Sequence, residues 1–400
     1  MGAVVVSARL CVVCRGYKRL CGRVKCPILE RLRVHLRLSR ELRSTHYQSR
    51  SGSALVFEAR YPSVYVGPQL AVQVVPEYVA FPELMWSLDL DTIVRIRSST
   101  LYSYVRLGTV RARVMDEVRD VALSVRPVLT EVRLRKRPIL DLRFDGVTEP
   151  IGPRAPLDSI SLSENPCIPY SVERLIEELG RTRELVVELY RRGFVHSYIA
   201  RVVSCGLAGA PHRRRLVPTR WSISATDRVL SDFFVEQVRR FPVGSDYLVS
   251  WCRYLGNIYV IVLLPERWGL ELIEVWLPSS VWVQVGGEAV VVRYCEYFRS
   301  GSVPSDGGYL AVRYAVSRYL YEVQRRQYRG VVLRVVTSEY YSPVGSWQIR
   351  ESIVRALRSN VVKLTTIDDV LNYVDEVLRP YGRYLRESDF LKAVARQERL

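Results

Sequence analysis

The longest uninterrupted apolar run of this 400-residue chain reads IYVIVLL and spans Ile258–Leu264. It is far shorter than the ~20 residues that a helix needs to cross a bilayer, and it is rich in β-branched residues, so it predicts a buried strand. The surrounding stretch from Tyr247 to Tyr297 is predicted to be mainly strand. The other strands expected in it are Leu272–Trp276, Val281–Val285 and Ala289–Tyr294.

Helical patterns lie on both sides of this strand-rich stretch. One of the helices before it stops at Gly193, a residue type that favours the backbone conformation of helix C-termini. A Ser/Gly/Pro-rich break at Gly301–Gly308 precedes a C-terminal region with one further strand, Val331–Val336. The predicted helices are Ser171–Leu179, Arg183–Arg192, Asp227–Arg240, Tyr309–Arg326, Gln348–Arg358, Asp368–Leu378 and Leu385–Ala395.

The part from Ala54 to about Asp145 is again mainly strand, with alternation of β-branched residues. Because strands and helices are grouped rather than regularly alternating, the predicted fold class is α+β. The strands expected in this part are Ser63–Val66, Leu70–Val75 and Tyr104–Val114.

Three domains are predicted: a small knuckle that contains four cysteines, followed by a basic arm, at residues 1–50, a mixed α/β main body at 51–300, and a smaller, largely helical C-terminal region at 301–400. Within the first, Ile28–Arg43 is predicted to be a basic helical arm, with Leu36 on its apolar face and Arg31 among its exposed cations. Ser44–Ser53 is polar and without periodicity, so it is predicted to be a linker.

The charge balance is strongly basic. Lys and Arg number 59 against 41 Asp and Glu, which leaves a net charge of +18. Such an excess attracts polyanions such as nucleic acid or an anionic membrane surface. Only five of the basic residues are lysine, so a codon bias toward arginine with a solvated surface is the alternative explanation.

Neither a membrane span nor a secretory signal is expected. No apolar run has the required length, and the N-terminal residues reach arginine and cysteine after a few weakly apolar positions. The protein is therefore expected in the cytoplasm.

Four of the eight cysteines lie within sixteen residues, in the pattern Cys11-x2-Cys14-x6-Cys21-x4-Cys26. Two closely spaced pairs suit a tetrahedral zinc ion, because each pair can span one edge of the tetrahedron. With all four positions filled by thiolates the site would be structural. An iron–sulfur cluster and disulfides are the alternatives, although the spacing and an ordinary cytosol favour neither.

The densest basic stretch runs from Pro211 to Asp227. Arg213, Arg214 and Arg215 are candidate phosphate donors, and Arg220 stands beside Trp221, a flat stacking surface. A helix is expected to start after this stretch, capped by Thr226 or Asp227. In the alternative interpretation the three arginines form a solvated loop and Trp221 belongs to the core.

Further aromatic and arginine-rich segments lie near Tyr61-Pro62 and from Glu339 to Glu351. They fit a binding pocket or an aromatic core with buried ion pairs equally well. Sequence signatures of phosphate-binding loops, dinucleotide folds and zinc proteases are lacking, and there are four scattered histidines.

Several of these segments, taken together, resemble the archaeal Nre DNA repair family, in its type with an N-terminal four-cysteine zinc finger. The similarity extends from residue 11 to about 357 and is most specific in the run LVPTRWSI at Leu216–Ile223. The other segments are Cys11, Cys14, Leu20–Arg23, Cys26-Pro27, Tyr61-Pro62, Val66–Pro68, Gly307–Tyr309, Tyr340–Pro343 and Trp347–Glu351.

The resemblance implies a role in the repair of DNA damage, a zinc finger at the four cysteines, and two sequence domains of the Nre N-terminal and C-terminal types. It also implies an association with the replicative sliding clamp (PCNA) through a C-terminal peptide. The tail of this chain lacks the glutamine and the paired aromatic residues of that peptide. Phe390 and Leu391 are the candidate apolar anchor.

Two hypotheses of function follow. In the first, the protein is a non-catalytic factor that binds DNA and positions other repair proteins. In the second, it is an enzyme that acts on DNA or a nucleotide in a pocket lined by Arg, Tyr and Trp. The catalytic residues of such an enzyme are not identified by any motif.

Overall fold

The computed structural model describes residues 13–20, 25–39, 41–139, 149–281, 283, 287–298 and 302–397. The chain forms two compact units. The first, here called the barrel unit, comprises Pro27–Phe144 and Glu149–Leu230. The second, the sheet unit, is built mainly from Ser231–Leu400.

The barrel unit is built on five strands that close into a barrel, in the order β1-β2-β3-β5-β4. The first three strands form an antiparallel meander, and β4 returns to lie antiparallel beside β1, which is a Greek key. β5 closes the barrel between β3, to which it is parallel, and β4. The strands are β1 (His46–Arg60), β2 (Ser63–Ala71), β3 (Thr100–Leu107), β4 (Val128–Leu134) and β5 (Arg154–Leu162).

β1 is long because it pairs with two neighbouring strands along different parts of its length. Its first half, up to Ser51, pairs with β4, and its second half pairs with β2. The register shifts between Ser51 and Ser53, at Gly52, where a Cβ atom would lie 2.5 Å from the carbonyl oxygen of Pro76. The predicted linker Ser44–Ser53 is therefore wrong for most of its length, because backbone pairing with a distant strand stabilises a polar segment that has no apolar pattern of its own.

The helices of the barrel unit are α1 (Pro27–Leu38), α2 (Pro76–Ala80), α3 (Leu90–Ser98), α4 (Met115–Leu123), α5 (Tyr170–Glu178), α6 (Thr182–Arg191), α7 (His196–Ser204) and the start of α8 (Thr219–Val238). The predicted helices at Ser171–Leu179 and Arg183–Arg192 are confirmed. α4 lies in the connection between β3 and β4, which together with the strand order is the arrangement of the oligonucleotide/oligosaccharide-binding (OB) fold.

Predictions for two helices of this unit are wrong. The basic arm is helical only to Leu38, and its faces differ from those expected: Leu36 is 63% exposed whereas Arg31 is 7% exposed. α8 begins at Thr219 rather than near Asp227. The predicted cap is wrong as well, since Thr226 and Asp227 lie inside the helix, where the Thr226 hydroxyl donates to the carbonyl of Ser222.

The sheet unit has six strands in the order β11-β6-β7-β10-β8-β9. The central strand β10 is antiparallel to β7 and parallel to β8. Every residue of β7 is buried, which confirms the strand predicted from the apolar run. The strands are β6 (Tyr247–Tyr254), β7 (Asn257–Leu264), β8 (Gly269–Trp276), β9 (Val290–Glu296), β10 (Arg329–Val336) and β11 (Val361–Leu364).

Helices cover both faces of this sheet. One core contains residues of α9 (Gly307–Tyr319) and α10 (Trp347–Ser359), and the other contains residues of α11 (Ile367–Leu378), α12 (Gly382–Leu385) and α13 (Asp389–Gln397). The predicted C-terminal strand and helices are confirmed, apart from the break between α12 and α13. The predicted strand Val281–Val285 lies partly outside the described residues, and Val281 and Val283 are in bends.

The predicted α+β class is confirmed. The predicted division at residue 300 falls between β9 and α9, so the sheet takes strands from both of the predicted domains on either side of it. In the described part of the chain, no helix is both long enough and apolar enough to cross a membrane.

Candidate nucleic-acid interface

The run LVPTRW leads into α8 along the edge of β1. The Thr219 hydroxyl accepts a hydrogen bond of 2.9 Å from the backbone N–H of Val56. One residue on, the Arg220 guanidinium donates to Glu58 at 2.6 Å. This edge of β1 lies beyond the segment that pairs with β4, so the run covers backbone groups that β4 does not reach.

The segment is also tied to the end of α7. The backbone N–H of Val217 donates to the Ser204 carbonyl at 3.0 Å, and the Ser204 hydroxyl donates to the Val217 carbonyl at 2.8 Å. The same hydroxyl is 3.2 Å from that of Thr219. Two elements thus hold the start of α8 in place, which orients the side chains that follow.

Trp221 is presented to solvent at this point. Its ring centroid lies 5.1 Å from that of Tyr61, which occupies the turn between β1 and β2. The two side chains are 41% and 45% exposed. Trp221 is therefore not a core residue, and the pair forms an apolar surface with two accessible rings.

The three consecutive arginines divide into two kinds. Arg213 and Arg215 are exposed. Arg214 is half-buried and donates to the carbonyl oxygens of Gly209 and Ile176, at 2.9 and 2.6 Å. Burial, together with the charge of Arg119, lowers the pKa of Arg214. Arg214 thus stabilises the loop, and the other two side chains are available to a ligand.

Aromatic residues on the strands themselves were not singled out by sequence reasoning. Phe57, Tyr65 and Tyr104 lie on the outer face of the barrel next to the exposed Arg106. The alternation of valine and tyrosine in β2 and β3 is a signal for one aromatic face. Whether these aromatic side chains share a face depends on which strands pair with each other, and the sequence does not show that.

The cysteine cluster is described in part. Cys14 is buried and its sulfur accepts a hydrogen bond of 3.4 Å from the backbone N–H of Leu20. Cys26 is half-buried, whereas Cys11 and Cys21 lie outside the described residues. Arg15 and Gly16 have positive φ angles of 49° and 80°, as in a tight turn after a ligand cysteine.

An amide directed at a cysteine sulfur in a tight turn is a contact that would stabilise the thiolate form of Cys14. Among the described residues, which include two of the four cysteines, no group of three or more His, Cys, Asp and Glu side chains is arranged for a metal.

Phe390 and Leu391 lie in α13, and each is 2% exposed. The Phe390 ring packs against Tyr297 and beneath the Arg329 guanidinium, which is 4.8 Å from the ring centroid. The buried carboxylate of Glu271 accepts hydrogen bonds from the Ser388 hydroxyl and the first N–H groups of α13. In this arrangement the two candidate anchor residues belong to the core and their side chains are not accessible to a partner.

The arginine- and aromatic-rich segments of the sheet unit are mostly buried. Tyr340, Trp347 and Arg350 are each at most 5% exposed. Arg334, 4% exposed, donates to Glu274 at 2.7 Å and to Asn257 at 3.0 Å. Of the two alternatives left open by the sequence, the segment Glu339–Glu351 belongs mostly to an aromatic core, and the buried ion pair of Arg334 lies outside that segment.

A second buried pair lies beside a cavity of about 220 Å³. Arg313 donates to both oxygens of Glu296, at 2.6 and 3.0 Å, and to Asp232 at 2.7 Å. Trp268 and Tyr309 also donate to Glu296. Burial would raise the pKa of Glu296, but the hydrogen bonds and charge of Arg313 lower it below its usual value. Both oxygens of the Glu296 carboxylate therefore accept hydrogen bonds from other side chains of the protein. The hypothesis that the protein is an enzyme remains a prediction.

Comparison with known proteins finds the same family in both the N-terminal and the C-terminal part of the chain. The family model described as "Archaeal Nre, N-terminal" matches residues 20–283, and "Archaeal Nre, C-terminal" matches residues 296–400. The chain is 31% identical over 405 residues to DNA repair protein NreA of Archaeoglobus fulgidus, covering 99% of this chain and 98% of that protein.

Two further relatives support the match. Identity to DNA repair protein NreA of Haloferax volcanii is 35% over 350 residues, covering 83% of each chain. Identity to DNA repair protein NreB of Archaeoglobus fulgidus is 28% over 391 residues, covering 96% of this chain and 97% of that protein. No solved structure gives a significant match.

Proposed function

The chain belongs to the archaeal Nre family, and we propose that it is a DNA repair protein that binds DNA through the surface at the start of α8. The relatives that cover nearly its whole length bear the name of DNA repair proteins. The observation that carries the DNA-binding part is the ring pair of Trp221 and Tyr61, whose rings contact each other and are exposed to solvent.

The chemistry of this surface suits a nucleic acid. Arg213 and Arg215 are exposed within eight residues of Trp221, and Arg60 is exposed beside Tyr61. Guanidinium groups neutralise phosphates, and flat rings stack on bases or pack against sugars. The net charge of +18 adds long-range attraction to a polyanion.

DNA binding is tested by fluorescence anisotropy with labelled DNA over a range of salt concentrations. We expect affinity to fall steeply with salt, because each neutralised phosphate releases counterions. The double variant Arg213→Ala/Arg215→Ala should reduce the slope of log K against log salt by up to about 2.

Lys392→Ala/Arg396→Ala is the matched control, since it also removes two cations and both residues are exposed in α13 of the sheet unit. Trp221→Ala should weaken binding and shift the melting temperature by only a few degrees, because the ring is 41% exposed. An affinity that does not change with salt, or equal losses in the control, would contradict the proposal.

A zinc ion held by Cys11, Cys14, Cys21 and Cys26 is the second part of the proposal. Bound there, zinc would supply a rigid crosslink and no reactive water, because four thiolates fill a tetrahedral ion. The amide of Leu20 would stabilise the Cys14 thiolate. Lys18 and Arg15, both exposed, would offset part of the negative charge of the centre.

Elemental analysis tests this part. We expect about one zinc per chain, lost in Cys26→Ser and retained in Cys167→Ser, whose cysteine is exposed and far from the cluster in sequence. Iron in place of zinc, or equal metal content in both variants, would contradict it.

Association with the sliding clamp is a further proposal that family membership suggests. Because the tail does not carry the glutamine and the paired aromatic residues at their usual positions, and offers only Phe390 and Leu391 as apolar anchor, we expect the isolated last fifteen residues to bind the clamp weakly or not at all. Calorimetry with the peptide measures this. A micromolar or tighter complex, lost in Phe390→Ala, would contradict the expectation.

A further inference from the structure

The strand register gives the barrel one aromatic outer face. Val56, Val64 and Val66 are at most 1% exposed and point into the barrel. Since side chains alternate along a strand, the residues between them point outward. Phe57 on β1 lies opposite Tyr65 on β2, and Tyr65 lies opposite Arg106 on β3. Tyr104, two residues before Arg106, shares this face.

The rings on this face contact one another. Tyr65 and Tyr104 meet edge to face with centroids 5.1 Å apart, and Tyr104 stacks on Tyr102 at 5.7 Å. Phe57 contacts Tyr102 at 5.1 Å. Tyr102 is 2% exposed and its hydroxyl donates to the Tyr65 carbonyl, so it forms the floor. The other three rings are only half-buried and form the surface above it.

One position of β2 on this face carries no side chain. The pairs on either side of it, Val66 with Val105 and Gln69 with Tyr102, place Gly67 opposite Tyr104. A Cβ atom at Gly67 would lie 1.9 Å from the carbonyl oxygen of Ser103, so no other residue fits this position. Gly67 thus allows the close approach of the β3 backbone, and it adds no side chain to the surface beside Tyr104.

Cations lie beside the rings. Arg106 is exposed, and its Nε donates to the Ser63 hydroxyl at 3.1 Å, which holds the guanidinium at the end of the hairpin. Arg111 and Arg113 are exposed in the connection that follows β3. The carboxylate at this end of β1, Glu58, is neutralised by Arg220. Half-exposed rings with a cation beside them suit a chain that offers bases on one side and phosphates on the other.

We propose that this face binds single-stranded DNA, with bases stacked on Tyr104 and Tyr65 and phosphates bound by Arg106. The proposal rests on the proposed function and names the form of DNA that it recognises. In a duplex the bases stack on each other, so their faces are not available to side chains on a sheet. Unpaired bases stack on aromatic side chains with little dependence on sequence.

The topology supports the same assignment by analogy. A five-stranded Greek-key barrel with a helix between β3 and β4 is the OB arrangement, in which the face of the second and third strands binds oligonucleotides. Fold alone does not establish a function. The assignment therefore rests on the half-exposed rings and on the exposed Arg106 beside them.

The test compares a labelled oligodeoxythymidine of about 15 nucleotides, a length within the range that OB folds cover, with a blunt duplex. The full-length protein should bind the single strand more tightly. Tyr104→Leu should weaken that binding about five- to 100-fold, as expected for the loss of one stacked base, and leave duplex binding unchanged. Tyr104→Phe should restore it.

Tyr170→Leu is the matched control, since Tyr170 is 75% exposed on α5 of the same unit. Tyr104→Trp adds a direct readout, because stacking should quench its fluorescence with the single strand and not with the duplex. A melting curve of each variant establishes that it is folded.

The outcomes separate the two proposals. If neither form of DNA binds, both fail. If duplex and single strand bind equally and Tyr104→Leu changes neither, the proposed function stands and this inference is overturned. Equal losses in Tyr170→Leu, or tighter binding of oligouridylate than of oligodeoxythymidine, would also overturn it.

Discussion

The arginine and aromatic residues at the start of α8 in the barrel unit contrast with those in the centre of the sheet unit. At the start of α8, Trp221 and Tyr61 are exposed, and so are their chain neighbours Arg220 and Arg60. In the sheet unit, Arg313 and Arg334 are at most 4% exposed and each is bound to a buried carboxylate. Family-specific segments occur in both units, so similarity in sequence does not distinguish a binding surface from a scaffold. Burial does, and it predicts which substitutions affect stability and which affect binding.

Removal of Arg313 should have the largest effect on stability. Arg313→Met leaves the Glu296 carboxylate, 1% exposed, without the partner that binds both its oxygens. Breaking a buried pair in this way typically costs about 3–5 kcal/mol. Urea denaturation measures the change in the free energy of unfolding.

The matched control is Arg355→Met, which breaks an ion pair of 3.1 Å between Arg355 and Glu351 that is partly exposed. It should cost less than about 1 kcal/mol. Similar losses in the two variants would show that the sheet unit does not depend on its buried charges.

Removal of Arg334 should cost less, and the cost should depend on pH. Burial, opposed by Arg334 and reinforced by Asp306, already raises the pKa of Glu274 above its usual value. In Arg334→Met that pKa rises further, so the folded variant binds a proton more tightly than the unfolded chain. Its stability therefore increases as pH falls and is lost as pH rises through the folded pKa.

Melting temperatures of Arg334→Met and the unmodified protein between pH 5 and 8 test this expectation. The difference between them should be smallest at pH 5. In Arg334→Met/Glu274→Gln the carboxylate is gone, and the difference should be independent of pH. A constant difference for the single variant would mean that Glu274 stays ionised without its arginine.

Local pattern predicted much of the sheet unit. The apolar run of β7 and the periodicity of α9 and α11 are properties of short segments, and the structure confirms them. The same holds for α5 and α6 in the barrel unit. The spacing of Cys11, Cys14, Cys21 and Cys26 is likewise local, and it predicts zinc without any knowledge of the fold.

The barrel was less predictable because it depends on distant partners. The first half of β1 is polar, and it is a strand because β4 pairs with it from residue 128 onward. The helical start of α8 was missed because its residues also read as a polar loop. The aromatic face required the register between three strands, since Phe57, Tyr65 and Tyr104 are far apart in sequence.

In the barrel unit, His35 should contribute a smaller effect that depends on pH. Burial, with a contribution from the charge of Arg31, lowers its pKa to about 4. Between about pH 6.5 and 4 the unfolded chain binds a proton that the folded unit does not. Stability should therefore fall as pH falls through this window, on the order of 1 kcal/mol at pH 5.

His35→Leu should remove this dependence. It should also keep the unit at least as stable at pH 7, because neither ring nitrogen of His35 has a hydrogen-bond partner in the described structure. His212→Leu, at an exposed position, is the control and should leave the pH profile unchanged. Thermal melts at several pH values decide between these outcomes.

The smallest effect on stability is expected at the ion pair between Arg220 and Glu58. Both side chains are at least one-third exposed, so Glu58→Gln should change the free energy of unfolding by less than about 1 kcal/mol. Its effect should appear in binding instead, because the substitution removes a carboxylate from the DNA-binding surface and releases Arg220 to a phosphate. We expect affinity for DNA to rise and its salt dependence to steepen, with a slope larger by up to about 1. Glu184→Gln is the matched control: it also breaks an exposed ion pair, between Glu184 of α6 and Arg181 just before that helix, and changes the net charge by the same amount. If both variants bind DNA more tightly to the same extent, overall charge explains the gain; a gain confined to Glu58→Gln places the phosphate beside Arg220.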